Sequence, residues 1–189
     1  MGKIKNNKYV FYWEVGGIFF LIIFGSILHF IYEWFSYPII GIFSPVNESV
    51  WEHLKLGYWS LFLFSILEYR YIKDKVNNFI VAKALGIFTL QLFIIVFYYS
   101  YTSILGKNIL VLDILSYIIG SISCQIISYK ILMYRKLGYI ATIISICFII
   151  THAFALAIFT FYPPKLPIFK DNRTGQYGIG KLIDYLLFL

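Results

Sequence analysis

Charge is scarce in this chain. Asp, Glu, Lys and Arg together make up 13% of its 189 residues, about half the share of an ordinary soluble domain. Hydrophobic residues make up 60%, against roughly 45–50% in such domains. That balance excludes a conventional soluble fold, because too little polar surface is left to cover the apolar surface. Cysteine is equally sparse. Cys124 and Cys147, the only two, each fall midway along an apolar run and read as small buried hydrophobes, so neither a disulfide framework nor a cysteine metal site is expected. The sequence also lacks an HExxH string, a glycine-rich phosphate loop, a Gly-x-Ser-x-Gly elbow, an internal repeat and a low-complexity linker. The common soluble hydrolase and nucleotide-binding signatures are therefore absent.

The charge that is present has a sign. The net charge is +7, but the basic residues sit mainly in short segments between apolar runs. That is the pattern of a membrane orientation signal and not of a groove for nucleic acid. The first residues carry Lys3, Lys5 and Lys8 before an apolar stretch. This stretch is too long for a secretory leader, contains Glu14 and lacks a small-x-small cleavage site, so it is expected to be the first membrane helix.

A spanning helix needs about 20 mainly apolar residues. Five segments qualify, at residues 10–34, 45–69, 79–101, 109–134 and 137–161. The expected fold is all-α: one integral membrane domain over residues 1–189, a polytopic bundle of about five transmembrane helices. A short apolar stretch at 179–189 is expected to be a C-terminal interfacial helix. The second segment is unusual, with Glu48, Glu52, His53 and Lys55 in its first half and a uniformly apolar second half. Ser44-Pro45 reads as its start, with Ser44 capping and Pro45 at the first helical position. With the N-terminus inside, the inner side holds Lys3, Lys5, Lys8, Arg70, Lys73, Lys75, Lys83, Lys130, Arg135 and Lys136. The outer side then holds Lys55, Lys107, Lys165, Lys170, Arg173 and Lys181. The excess predicts an N-terminus in the cytoplasm and a C-terminus outside, in a bacterial plasma membrane.

This topology collects the unusual residues at one depth. His29, near the outer end of the first helix, has Glu33 one turn on. Glu48 and Glu52 share a face of the second helix beside His53. His152 lies in the outer half of the fifth helix, and Asp113 begins the fourth. Ionisable groups at membrane depth each cost roughly 2.5–3.5 kcal/mol on insertion scales, so several together predict pairing, a metal or a wet cavity. Imidazole with carboxylate is a common set for zinc and other divalent ions. On this reading His29, His53 and His152 are metal ligands and Glu48 or Glu52 is a general base, with Glu33, Asn47, Lys55 and Asp113 supporting them. Several also have a plainer role: His29 as an interfacial residue, Glu33 as a solvated loop residue, Glu52 with Lys55 as an ion pair, and Asp113 as a first-turn acid favoured by the helix dipole, whereas His152, inside an apolar helix, is the hardest to explain that way. Glu14, near the inner end, is expected to pair locally or face water, and Glu68 and Arg70 at the inner boundary need no functional account.

The string Phe43-Ser44-Pro45-Val46-Asn47-Glu48-Ser49-Val50-Trp51-Glu52-His53-Leu54-Lys55 resembles the signature of a family of uncharacterised bacterial membrane proteins. The upstream His29-Phe30-Ile31-Tyr32-Glu33-Trp34 resembles that family too, as do the downstream Phe161-Tyr162-Pro163-Pro164 and Tyr177-Gly178-Ile179. The likeness spans most of the chain. It implies a small multi-spanning protein of Bacillus- and Clostridium-like bacteria and carries over no catalytic role.

Three functions fit these residues. One is a membrane-embedded metal-dependent hydrolase or transferase acting on a lipid or lipid-linked substrate at the outer side. Another is a carrier or binding protein for an ion, haem or small solute. The third is a non-catalytic accessory subunit whose polar cluster serves packing or docking.

Overall fold

The computed structural model describes residues 7–180, which form five long α-helices and two 3₁₀ turns, with no strand among the described residues. The helices are α1 (Asn7–Phe35), α2 (Val50–Ile72), α3 (Phe79–Leu105), α4 (Leu110–Met133) and α5 (Tyr139–Phe161). Four of them, all but α2, are long and apolar enough to cross a membrane. They explain why apolar side chains such as Phe19, Ile23, Ile104, Ile144 and Phe154 can face outward: their environment is hydrocarbon, and their exposure carries no hydrophobic penalty there. The expected interfacial helix at 179–189 falls, from residue 181 on, outside the described residues.

The helices run alternately up and down, and α3 has the most buried surface of the four apolar helices. One end of the bundle gathers the 36–49 loop, the α3–α4 turn and the tail after α5. The opposite end holds the α2–α3 and α4–α5 connections. Asn78 binds those two connections together. Its Nδ2 donates to the carbonyls of Ile131 and Arg135, and its Oδ1 accepts from the Leu137 amide at 2.9 Å.

With lipid outside, helices gain little from hydrophobic attraction and pack through small residues and interhelical hydrogen bonds. The α1–α4 seam shows both. Tyr117 of α4 donates its hydroxyl to the Leu21 carbonyl at 2.8 Å, against the bare backbone of Gly25, where an added Cβ would lie 2.1 Å from that hydroxyl. Gly17 makes the same room for Gln125. Across the α3–α4 contact, Gly120 lets the helices approach until a Cβ would be 3.3 Å from the Leu90 carbonyl oxygen.

The second helix starts five residues later than Ser44-Pro45 suggests. Ser49 is the cap, accepting the Glu52 amide. Ser44 instead closes the end of α1: its hydroxyl donates to the Leu28 carbonyl at 2.5 Å and accepts the Tyr32 amide at 3.0 Å. A Ser-Pro pair signals a helix start locally, but here the hydroxyl finds better partners on the neighbouring helix.

Candidate metal and acid–base site

The site lies at the end that carries the 36–49 loop and the tail. One turn beyond Gly25, His29 projects from α1 towards α2 and meets His53, with their Nε2 atoms 3.1 Å apart. The capping turn of α2 sets the orientation of His53, whose Nδ1 lies 2.8 Å from the Ser49 carbonyl. A carbonyl only accepts, so Nδ1 carries the proton and the Nε2 of neutral His53 presents a lone pair. Glu48, just before the cap, places Oε2 3.5 Å from that same Nε2. The Nδ1 of His29 is buried without a hydrogen-bond partner.

One ligand atom each from His29, Glu48 and His53 lie within 4.8 Å of one another. Tetrahedral bonds of ~2.0–2.1 Å set ligand atoms about 3.3–3.4 Å apart. The separations of 3.1 and 3.5 Å around His53 Nε2 match that edge. The Nδ1–H to Ser49 bond is the outer contact that commonly fixes the tautomer of a metal-bound histidine. The residues therefore suit a divalent ion, with a fourth position left for water or substrate.

All three residues line a cavity of about 390 Å³ together with Asp113, Tyr98, Asn108, Asn172 and Arg173. Asp113 accepts the Tyr101 hydroxyl at 2.5 Å, and Tyr101 in turn accepts the Ile109 amide. Arg173, from the tail, has Nη2 3.5 Å from Glu48 Oε1, and Asn172 donates to the Glu48 carbonyl at 2.9 Å. Asp171 holds this part of the tail. Burial raises its carboxyl, but hydrogen bonds from the Thr174 hydroxyl and the Arg173 amide outweigh that and keep it below the usual carboxylate range.

The other residues marked in the sequence lie elsewhere. Glu52 is buried and fully engaged: it accepts from Lys55 at 2.5 Å, the Val46 amide at 3.0 Å and the Thr160 hydroxyl at 3.2 Å. Lys55 also donates to the Gly41 carbonyl at 2.6 Å. This pair ties α2, the loop and α5 together. His152 sits apart from the other two histidines, packed among Phe148, Tyr58 and Trp51, with no partner for its Nε2. Glu33 is exposed. Asn47 pins the tail by donating to the Gly178 carbonyl at 2.9 Å. Tyr101, Asn172 and Arg173 join the site without any local sequence signal.

The fold and the site together define a class, helical membrane proteins with a histidine–carboxylate cluster facing a cavity at one end of the bundle. Within it, the chain belongs to a family of unknown function (DUF6512), which matches residues 2–179. No curated protein and no solved structure matches the chain.

Proposed function

We propose that this protein is a membrane-embedded, metal-dependent hydrolase or transferase acting on a lipid or lipid-linked substrate at the outer face of a bacterial plasma membrane. The observation carrying this reading is the meeting of His29, His53 and Glu48 beside a cavity with both apolar and polar walls. All five helices would span, with the N-terminus inside. Although α2 is the least apolar, its 23 residues cover about 34 Å at 1.5 Å each. Three of its charged residues, Glu52, Lys55 and Glu68, point inward, and the exposed Arg70 lies in its last turn.

Zinc or a similar ion would lower the pKa of a bound water to about 7 and polarise the scissile group. The protein's own residues supply the rest. His29, His53 and Glu48 would hold the ion. Asp113, across the same cavity, takes the proton from the attacking water and returns it to the leaving oxygen. Arg173 at the rim pairs with an anionic headgroup, while Leu56, Ile94 and Leu110 receive an apolar chain.

Metal analysis of purified protein tests this reading. Protein supplied with zinc is expected to hold about one equivalent, as a single three-ligand site requires. His29→Ala and His53→Ala should each lose it and His152→Ala should keep it. A wild-type protein that stays metal-free after loading, or a variant pattern in which His152 matters and His29 does not, would overturn the assignment. With metal bound, headgroup release from a panel of ester- and phosphoester-linked lipids should stop on chelation and in Asp113→Asn.

A further inference from the structure

At the opposite end of the bundle, four helices bury a second polar cluster. Lys83 of α3 lies 2.9 Å from Glu14 of α1 and 2.5 Å from Glu68 of α2. It also donates to the Ser128 hydroxyl of α4 at 2.9 Å, and Ser128 donates on to Glu14 at 2.8 Å. Glu14, Glu68 and Lys83 are each at least 97% buried. Two carboxylates against one ammonium leave an uncompensated negative charge. A low-dielectric interior disfavours that, and a bound proton would compensate it. The other titratable groups beside it include the Cys124 thiol and, lining an adjoining cleft with Glu14, Tyr129 and Lys130.

The cluster is the lower end of a polar stripe. Ser128, Gln125, Ser121, Tyr117 and Asp113 follow one another at three- or four-residue intervals along α4, so they share one face. Ser128, Gln125 and Ser121 are buried. Gln125 has neither amide atom hydrogen-bonded, although it is 99% buried, and it lines a cleft of about 230 Å³ together with Glu14. The buried Ser60 hydroxyl of α2 faces the Tyr117 hydroxyl. Tyr117 and Asp113 then line the cavity of the histidine site. An unpartnered buried amide such as Gln125 is a place for ordered water, which commonly makes about three hydrogen bonds to such groups.

We propose that this face of α4, with waters bridging its gaps, conducts protons between the Glu14–Glu68–Lys83 cluster and the cavity at the other end. Glu14 and Glu68 accept and release the proton, Gln125 and Ser60 hold the bridging waters, and Tyr117 passes it to the cavity beside Asp113. No bond other than O–H and N–H is made or broken. The path does not depend on a metal at His29 and His53.

Proton flux into liposomes measures this directly. Wild-type protein is reconstituted in phospholipid vesicles containing a pH-sensitive dye, and a potassium gradient with valinomycin supplies the driving force. Acidification faster than in protein-free vesicles is expected. Gln125→Leu should slow it by about tenfold or more, the scale of losing one buried hydrogen-bonding link, and Glu14→Gln should do the same. Cys147→Ser, on the outer surface of α5, should leave it unchanged. Wild-type flux equal to that of empty vesicles overturns the proposal without recourse to any variant. So does full flux through Gln125→Leu. Metal content is read separately, so a failed wire and a failed metal site are distinguishable.

Discussion

Glu48 and Glu52 stand one turn apart and look equivalent in the sequence, yet they do different things. Glu52 spends its oxygens on Lys55, Val46 and Thr160, while Glu48 keeps one oxygen beside His53 and the other beside Arg173. Lys55→Met should therefore strand a buried carboxylate and destabilise the protein by ~3–5 kcal/mol, the usual consequence of breaking a buried pair from one side. Denaturation in mixed micelles measures this, and the metal bound per folded molecule should not change. Glu48→Gln should do the reverse, leaving stability nearly intact and weakening metal retention. The residue types that could bind a metal were legible in the sequence. Their selection was not: whether His29 meets His53 or His152 depends on how α1 and α5 are rotated against α2, and no local spacing encodes that. Lys83 reads only as one of the inner-side charges for the same reason, until the packing shows it held between Glu14 and Glu68.

At the level of single elements, the apolar runs located the helices well, because lipid leaves hydrophobicity as the dominant signal. The start of α2 was the exception, since Ser44 serves α1 instead. The α1–α4 seam gives a sharper test. Gly25→Ala puts a methyl group against the Tyr117 hydroxyl, and overpacking of this kind costs about 1–3 kcal/mol. Tyr117→Phe in the same chain should recover part of that loss, which a double-mutant cycle would quantify. The tail responds to pH in one direction. Asp171 is held below its ordinary range, so its contribution to docking is complete above the unfolded value near ~3.9 and disappears as the pH falls through the lower folded value. Amide exchange at Gly175, whose N–H donates to the Asp171 carbonyl at 2.9 Å, should accelerate in that acid window. Asp171→Ala should show the faster exchange at neutral pH as well.

For the whole molecule, the asymmetry of basic residues predicts which end faces the cytoplasm. In a Cys124→Ser, Cys147→Ser background, Lys107→Cys should react with an impermeant maleimide on intact cells, and Lys73→Cys only after permeabilisation. The reverse pattern would place the histidine site inside. The bundle also puts α2 in an odd position among its neighbours. It is the helix with Glu52, Lys55 and Glu68 turned inward, and it falls outside the group apolar enough to cross on its own. During biosynthesis a segment of this kind partitions poorly from the translocation channel into lipid until its ionic partners arrive. Lys83, the partner of Glu68, comes from the helix made after α2, and the same Lys83 also pairs with Glu14 of the helix made before it. Nascent chains halted before α3 emerges should therefore hold α2 loosely at the channel, and longer ones should lock it in, making insertion of the first three helices a single cooperative event.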